Sequence, residues 1–193
     1  MLAQALAFVL DAVFHLFILA VLVRFWMQVV GAPMRNPIAQ FSMALTDFLV
    51  KPLRRVIPGV FRLDLASLVA ALALEFLLQF CLYLIMGGSP GDNPGVFGLL
   101  LFLAFVKLIR LSVYVFMGAI FIQALLSWVS PHHPVGPFFN AFTRPLLKPF
   151  QRSVPPIGGV DITPMLVLLL LYLILMLPVA WLEHESIRMI RAF

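Results

Sequence analysis

Apolar residues run along this chain in long blocks rather than in alternation. Four blocks, roughly Ala5 to Val30, Leu65 to Met86, Leu111 to Val129 and Ile162 to Leu182, are long enough to cross about 30 Å of hydrocarbon as helices. Helix is required because a lone strand leaves its backbone groups unsatisfied in lipid, and the ten-residue alternation of a barrel is missing. A fifth apolar run, Val96 to Val106, is too short to cross and is followed by Lys107 and Arg110. It lies near the interface or extends the third span. Between the spans the pattern changes to a three-to-four spacing: Ile38, Phe41, Leu45, Phe48 and Leu49 fall on one side, and Gln40, Asp47, Lys51, Arg54 and Arg55 largely on the other. This predicts an amphipathic interfacial helix that bends or stops at Pro52. Phe138, Phe142, Leu146 and Phe150 repeat the plan, interrupted by Pro145 and Pro149.

Composition agrees with lipid as the solvent. The 193 residues are 63% hydrophobic and 11% charged, with a mean hydropathy of +1.09, against ~45–50% and ~25% in soluble domains. A soluble globular protein is excluded, and four spans leave no room for a separate catalytic domain. The net charge of +5 does not point to nucleic acid, because the placement of Lys and Arg matters more than their sum in a membrane chain. Cys81 is the single cysteine, which excludes an intrachain disulfide and a cysteine metal site. No Lys or Arg precedes Arg24, so the first span is read as retained rather than as a cleaved leader.

A shift of 97 positions aligns the two halves without a gap. Pro37 falls on Pro134, Phe41 on Phe138, Thr46 on Thr143, Leu49 on Leu146, Lys51 on Lys148, Pro52 on Pro149, Arg55 on Arg152, Pro58 on Pro155 and Asp64 on Asp161. The expected architecture is therefore an all-α membrane protein of two parallel span-linker-span repeats, 1–95 and 96–193. Asp64 and Asp161 precede the second span of each half, where a helix cap belongs. Arg35, Lys51, Arg54, Arg55 and Arg62 in the first linker, with Arg144, Lys148 and Arg152 in the second, make eight of the thirteen basic residues. The positive-inside rule puts both linkers in the cytoplasm, and the termini and the Ser89 to Pro94 turn outside. Lys107, Arg110, Arg188 and Arg191 run against that assignment, although Glu183 and Glu185 accompany the last two. Basic residues beside an apolar face also suit anionic headgroups, with Lys51, Arg54, Arg55, Lys148 and Arg152 facing lipid or a partner.

With the repeat, the strings RFWMQ (Arg24 to Gln28), NPIAQF (Asn36 to Phe41), KPLRRVIPG (Lys51 to Gly59) and PLLKPFQRSVPPIGGVDITPM (Pro145 to Met165) give the chain a resemblance to the YggT family over nearly its whole length. That resemblance implies a small bacterial or plastid inner-membrane protein without established enzymatic activity. It also implies associations with osmotic and potassium homeostasis, with cell-division genes, or with assembly at the plastid membrane. Gln151 stands opposite Arg54, so the double arginine of the first linker is single in the second.

Ionisable groups at membrane depth face protein or water and take partners. Counting along the helices puts Arg24 and Glu75 at matching depths, roughly 14 and 16 Å from the linker side. They are expected to pair, as a latch between spans or as an ion or proton site. Asp11 is expected opposite Lys107 or Arg110, with His15 one turn from Asp11. Gln79, Gln123 and Ser127 are polar contacts between helices. Trp26, Trp128 and Trp181 read as interfacial anchors. His132 and His133 adjoin on a turn, and Glu183, His184 and Glu185 read as a solvated helix end. No catalytic motif, metal set or cofactor box is legible. The expectation is a non-enzymatic inner-membrane scaffold acting on lipid, a membrane-protein partner or its own copies through basic linkers. The alternative is an ion (potassium) homeostasis or osmotic-stress component.

Overall fold

The computed structural model describes all residues except 34, 58–63, 90–93, 131–132, 155–160 and 193. Arg62, Pro58, Gly59, Pro155, His132 and the Pro90 to Asn93 part of the turn lie outside the described residues. The described chain forms α1 (Leu2–Val30), α2 (Pro37–Val56), α3 (Leu65–Ile85), α4 (Gly95–Val129), α5 (Gly136–Ser153), α6 (Thr163–Ile174), a π-helical turn (Leu175–Val179) and α7 (Ala180–Arg191). Four stretches, Leu2–Val30, Leu65–Ile85, Gly95–Val129 and Thr163–Arg191, are long and apolar enough to cross a membrane. This is an all-α, multi-pass membrane protein. The fifth apolar run is the extension of a span: α4 is one helix of 35 residues, roughly 52 Å long. It overshoots the ~30 Å hydrocarbon layer, so one end stands clear of it. The last span also continues past Leu182, over a π-turn where Pro178 removes a backbone donor.

Helix ends carry local signals. Gly31 closes α1 in the left-handed conformation (φ 68°), and the Asn36 side chain caps α2 by accepting from the Ala39 amide at 2.9 Å. α2 does not stop at Pro52 but runs on to Val56, and α5 likewise passes Pro145 and Pro149. All three prolines sit on exposed faces, where a carbonyl freed by the missing N–H is not trapped in the packing.

α1 lies along α3, α3 along α4, and α4 along α5 and α7, while α2 packs on α1 and α3. Ala66, Ala70 and Ala71 present a small surface of α3 to Ile18, Val21 and Leu22 of α1, which allows close backbone approach without a hydrophobic effect to drive it. A second core joins Met27 to Phe116, Ile120, Phe138, Phe142 and Leu147. Phe116 and Phe142 stand 5.2 Å apart and Trp26 packs on Phe116 at 4.8 Å. Trp26 is thus an aromatic core residue rather than an anchor, whereas Trp128 and Trp181 are exposed near span ends.

The bundle-facing side of α2 also differs from its apolar stripe. Ala39, Ser42, Thr46 and Val50 are buried, while Phe41 and Phe48 are more than 60% exposed. Small residues let α2 nest against α1, and the phenylalanines are left for lipid. In α5 the phenylalanines Phe138, Phe139 and Phe142 turn inward. Replacing Ala70 (1% exposed) by Leu should lower stability by about 1–3 kcal/mol through overpacking. Val69→Leu on the exposed side should change it by less than about 0.5 kcal/mol. Thermal unfolding in detergent compares the two.

Candidate functional site

The charged residues separate into three groups, and the first is built around Arg24. This guanidinium is 4% exposed, in a helix whose surroundings cannot hydrate it. Its Nη1 donates to Thr46 Oγ1 at 2.9 Å and to Asp47 Oδ1 at 2.8 Å, and its Nε lies 4.0 Å from Asp64 Oδ2. Asp47 also pairs with Lys51 at 2.8 Å. The Lys51 bond and the Arg24 charge hold its carboxyl below the ordinary value, against a smaller opposing effect of burial. Asp64 caps α3, accepting from the Ser67 amide at 3.3 Å and the Ser67 hydroxyl at 2.5 Å, and it takes a charge-assisted pair from Arg54. Burial opposes ionisation of Asp64, but the Arg54 and Ser67 bonds together hold its carboxyl below the usual range. Arg54 is raised correspondingly by Asp64. Five charges, from α1, α2 and the cap of α3, thus form one network.

Arg24 and Glu75 do not pair. Depth alone matched them, but Asp47 and Thr46 on the folded-back α2 meet Arg24 first. The second group therefore holds Glu75 without an arginine. Its Oε1 accepts from Gln79 Nε2 at 2.7 Å, and its fully buried Oε2 has no hydrogen-bond partner among the described residues. Lys107, His15 and Asp11 act on its charge from α4 and α1. The expected outer pair is also corrected. Asp11 faces His15, Oδ2 to Nδ1 at 3.2 Å, while Arg110 pairs with Glu183 on α7. α7 packs along α4, a contact with no signal in the hydropathy pattern, and Glu185 is taken by Arg188 at 2.6 Å.

The third group lies on α5. Arg144, Lys148 and Arg152 follow at i, i+4 and i+8, within an arc of about 80°. With Val30, Ala141, Pro145 and Pro149 they line an open groove of about 410 Å³. No acidic residue occurs in α5, and none of the three cations has an ion-pair partner among the described residues. The repeat makes the contrast plain. Asp47 is replaced by Arg144, and Arg54 by Gln151, which donates to Asp161 at 2.9 Å. Asp161 also accepts from the Thr163 amide at 2.9 Å; burial pushes its carboxyl up, but the Thr163 and Gln151 bonds leave it below the ordinary value. Thr143 bonds Gln123 where Thr46 meets Arg24. Arg55 is exposed at the end of α2. The roles of Thr46 and Thr143 went unread in the sequence, although the repeat register had aligned them. Among the described residues no group of three His, Cys, Asp or Glu could hold a metal ion.

The fold and these groups define a small multi-pass membrane protein made of a duplicated span-linker-span unit. The CCB3/YggT family model matches residues 3–85 and 102–182, and the chain belongs to that family. It is 37% identical over 175 residues to an uncharacterized protein of Pseudomonas aeruginosa, covering 90% of this chain and 87% of that one. It is 35% identical over 172 residues to the uncharacterized protein YggT of Escherichia coli, covering 89% and 87%. An uncharacterized protein of Haemophilus influenzae is 31% identical over 166 residues, covering 86% of each. No solved structure matches the chain.

Asp64, with its lowered folded value, contributes stability that is complete above the ordinary value of 3.8 and is lost as pH falls through that lowered value. Asp64→Asn should therefore be less stable than the wild type at neutral pH, with the gap closing in acid. Thermal unfolding across that range measures it.

Proposed function

We propose that the chain is a non-enzymatic scaffold of the bacterial inner membrane, organising anionic lipid and what gathers on it through its basic linkers. The linkers lie on the cytoplasmic side, with both termini outside. The observation that carries this reading is the α5 face, where three cations share a groove and no carboxylate neutralises them. α2 carries as many cations, but Asp47 and Asp64 hold Lys51 and Arg54 and leave only Arg55 without an ion pair among the described residues, so the second linker is the stronger anion surface. Support for the sidedness comes from the concentration of Lys and Arg in the linkers. The exceptions weaken as objections, because Arg110 and Arg188 are paired with Glu183 and Glu185.

The ion-homeostasis alternative retains only Glu75 of its two residues, since Arg24 is engaged by α2. Potassium flux in liposomes that falls with Glu75→Gln would favour it.

Each basic residue near an anionic surface contributes about 1 kcal/mol, so replacing Arg144, Lys148 and Arg152 together by Glu should weaken anionic-lipid binding on the order of 100-fold. The measurement is competition between phosphatidylglycerol and phosphatidylcholine for the purified, stably folded protein. Unchanged preference for the anionic lipid would overturn the reading.

A further inference from the structure

We propose that Glu75 is an exchangeable proton site inside the bundle, reached by water through Gln79 from the pocket at the end opposite the linkers. Glu75 is fully buried on α3, and one of its oxygens has no partner among the described residues. A carboxylate serving only to hold helices together would have both oxygens bonded, as Asp64 does, because an unmet buried charge is expensive. Gln79, 5% exposed, stands between that carboxyl and a cavity of about 590 Å³. Its amide bonds Glu75, and the residue also lines the cavity together with Lys107, Tyr83 and Arg191. The lining is mostly apolar, but Tyr83, Ser89, Lys107 and Arg191 lie along it and there is room for several waters, which gives a proton a path to Gln79.

α1, α2 and α4 pack on α3. Lys107 comes from α4, and His15 and Asp11 from α1. On α2, Asp47 and Arg54 are engaged at the other end of the helix by Arg24 and Asp64, Lys51 pairs with Asp47, and Arg55 lies exposed at the helix end. Of the charges that face Glu75, Lys107 acts most strongly, ahead of the mutually paired Asp11 and His15. The duplication supplies an internal comparison. The positions that correspond to Glu75, Gln79 and Lys107 are Tyr172, Met176 and Leu10, so the same architecture packs in the other half without this cluster. In the exchange step the Gln79 side chain turns aside, a hydronium from the cavity gives its proton to the Glu75 carboxylate and leaves as water, and the reverse step returns it.

The site is independent of the scaffold reading, since α5 lies at the other end of the bundle. The full chain in phosphatidylcholine nanodiscs is treated with dicyclohexylcarbodiimide, which adds to protonated carboxyls in apolar surroundings, and mapped by mass spectrometry. Labelling of wild-type Glu75 should rise at least about tenfold as pH is lowered from about 9 to about 5. Lys107→Met, which removes the cation favouring the carboxylate, should increase labelling at neutral pH. Glu75 that stays unlabelled at every pH while Asp11 or Glu183 reacts, or that labels without pH dependence, overturns the proposal. For the route, Gln79→Cys in a Cys81→Ser chain should react with a membrane-impermeant thiol reagent, and failure to react removes the path through Gln79.

Discussion

A guanidinium cannot stay unpaired in the interior of a membrane bundle, and Arg24 sets this structure's central constraint. Its partners are not on a neighbouring span. They are Thr46 and Asp47 of α2, with Asp64 at the start of α3 close by. The linker helix must fold back onto α1 to supply them, which in turn requires the narrow Ala39, Ser42, Thr46 and Val50 side. Asp64 joins the same network to the α3 cap and to Arg54. Three helices are thereby held at one point.

The second half keeps the geometry and discards the charge. Phe121 stands where Arg24 does, Gln151 where Arg54 does and Arg144 where Asp47 does. Bonds without a cation, Thr143 with Gln123 and Gln151 with the Asp161 carboxylate, take over the positions of the ion pairs. Aromatic packing of Phe142 on Phe116, with Phe138 on Phe142, replaces electrostatic attachment. With no internal partner needed, the cations of α5 remain available to something outside the chain. Duplication has thus produced one linker that is locked and one that is open.

Much of this architecture was legible in the sequence. The spans followed from hydropathy, the duplication from a single register, and the linkers from helical spacing between prolines. The pairing of Arg24 was not. Sequence distance along a helix gives depth but not azimuth, and in lipid both sides of a span are apolar, so α1 and α3 carry no polar face from which rotation could be read. The same loss of contrast hid the length of α4, whose apolar start looked like a separate short run. In α2 the apolar stripe was real, but lipid competes for phenylalanine as well as the core does, and close packing selected the small residues instead. Asp11 and Arg110 were misassigned because α7 continues beyond the last span and brings Glu183 to Arg110.

The central claim is that Arg24 and Asp47 lock the linker helix to the first span. A double-mutant cycle with Arg24→Gln and Asp47→Asn, read by thermal unfolding of the purified protein, tests it directly. The account predicts a coupling of about 1–3 kcal/mol, with the double variant more stable than the sum of the single losses implies. Strict additivity would contradict it and place the lock elsewhere.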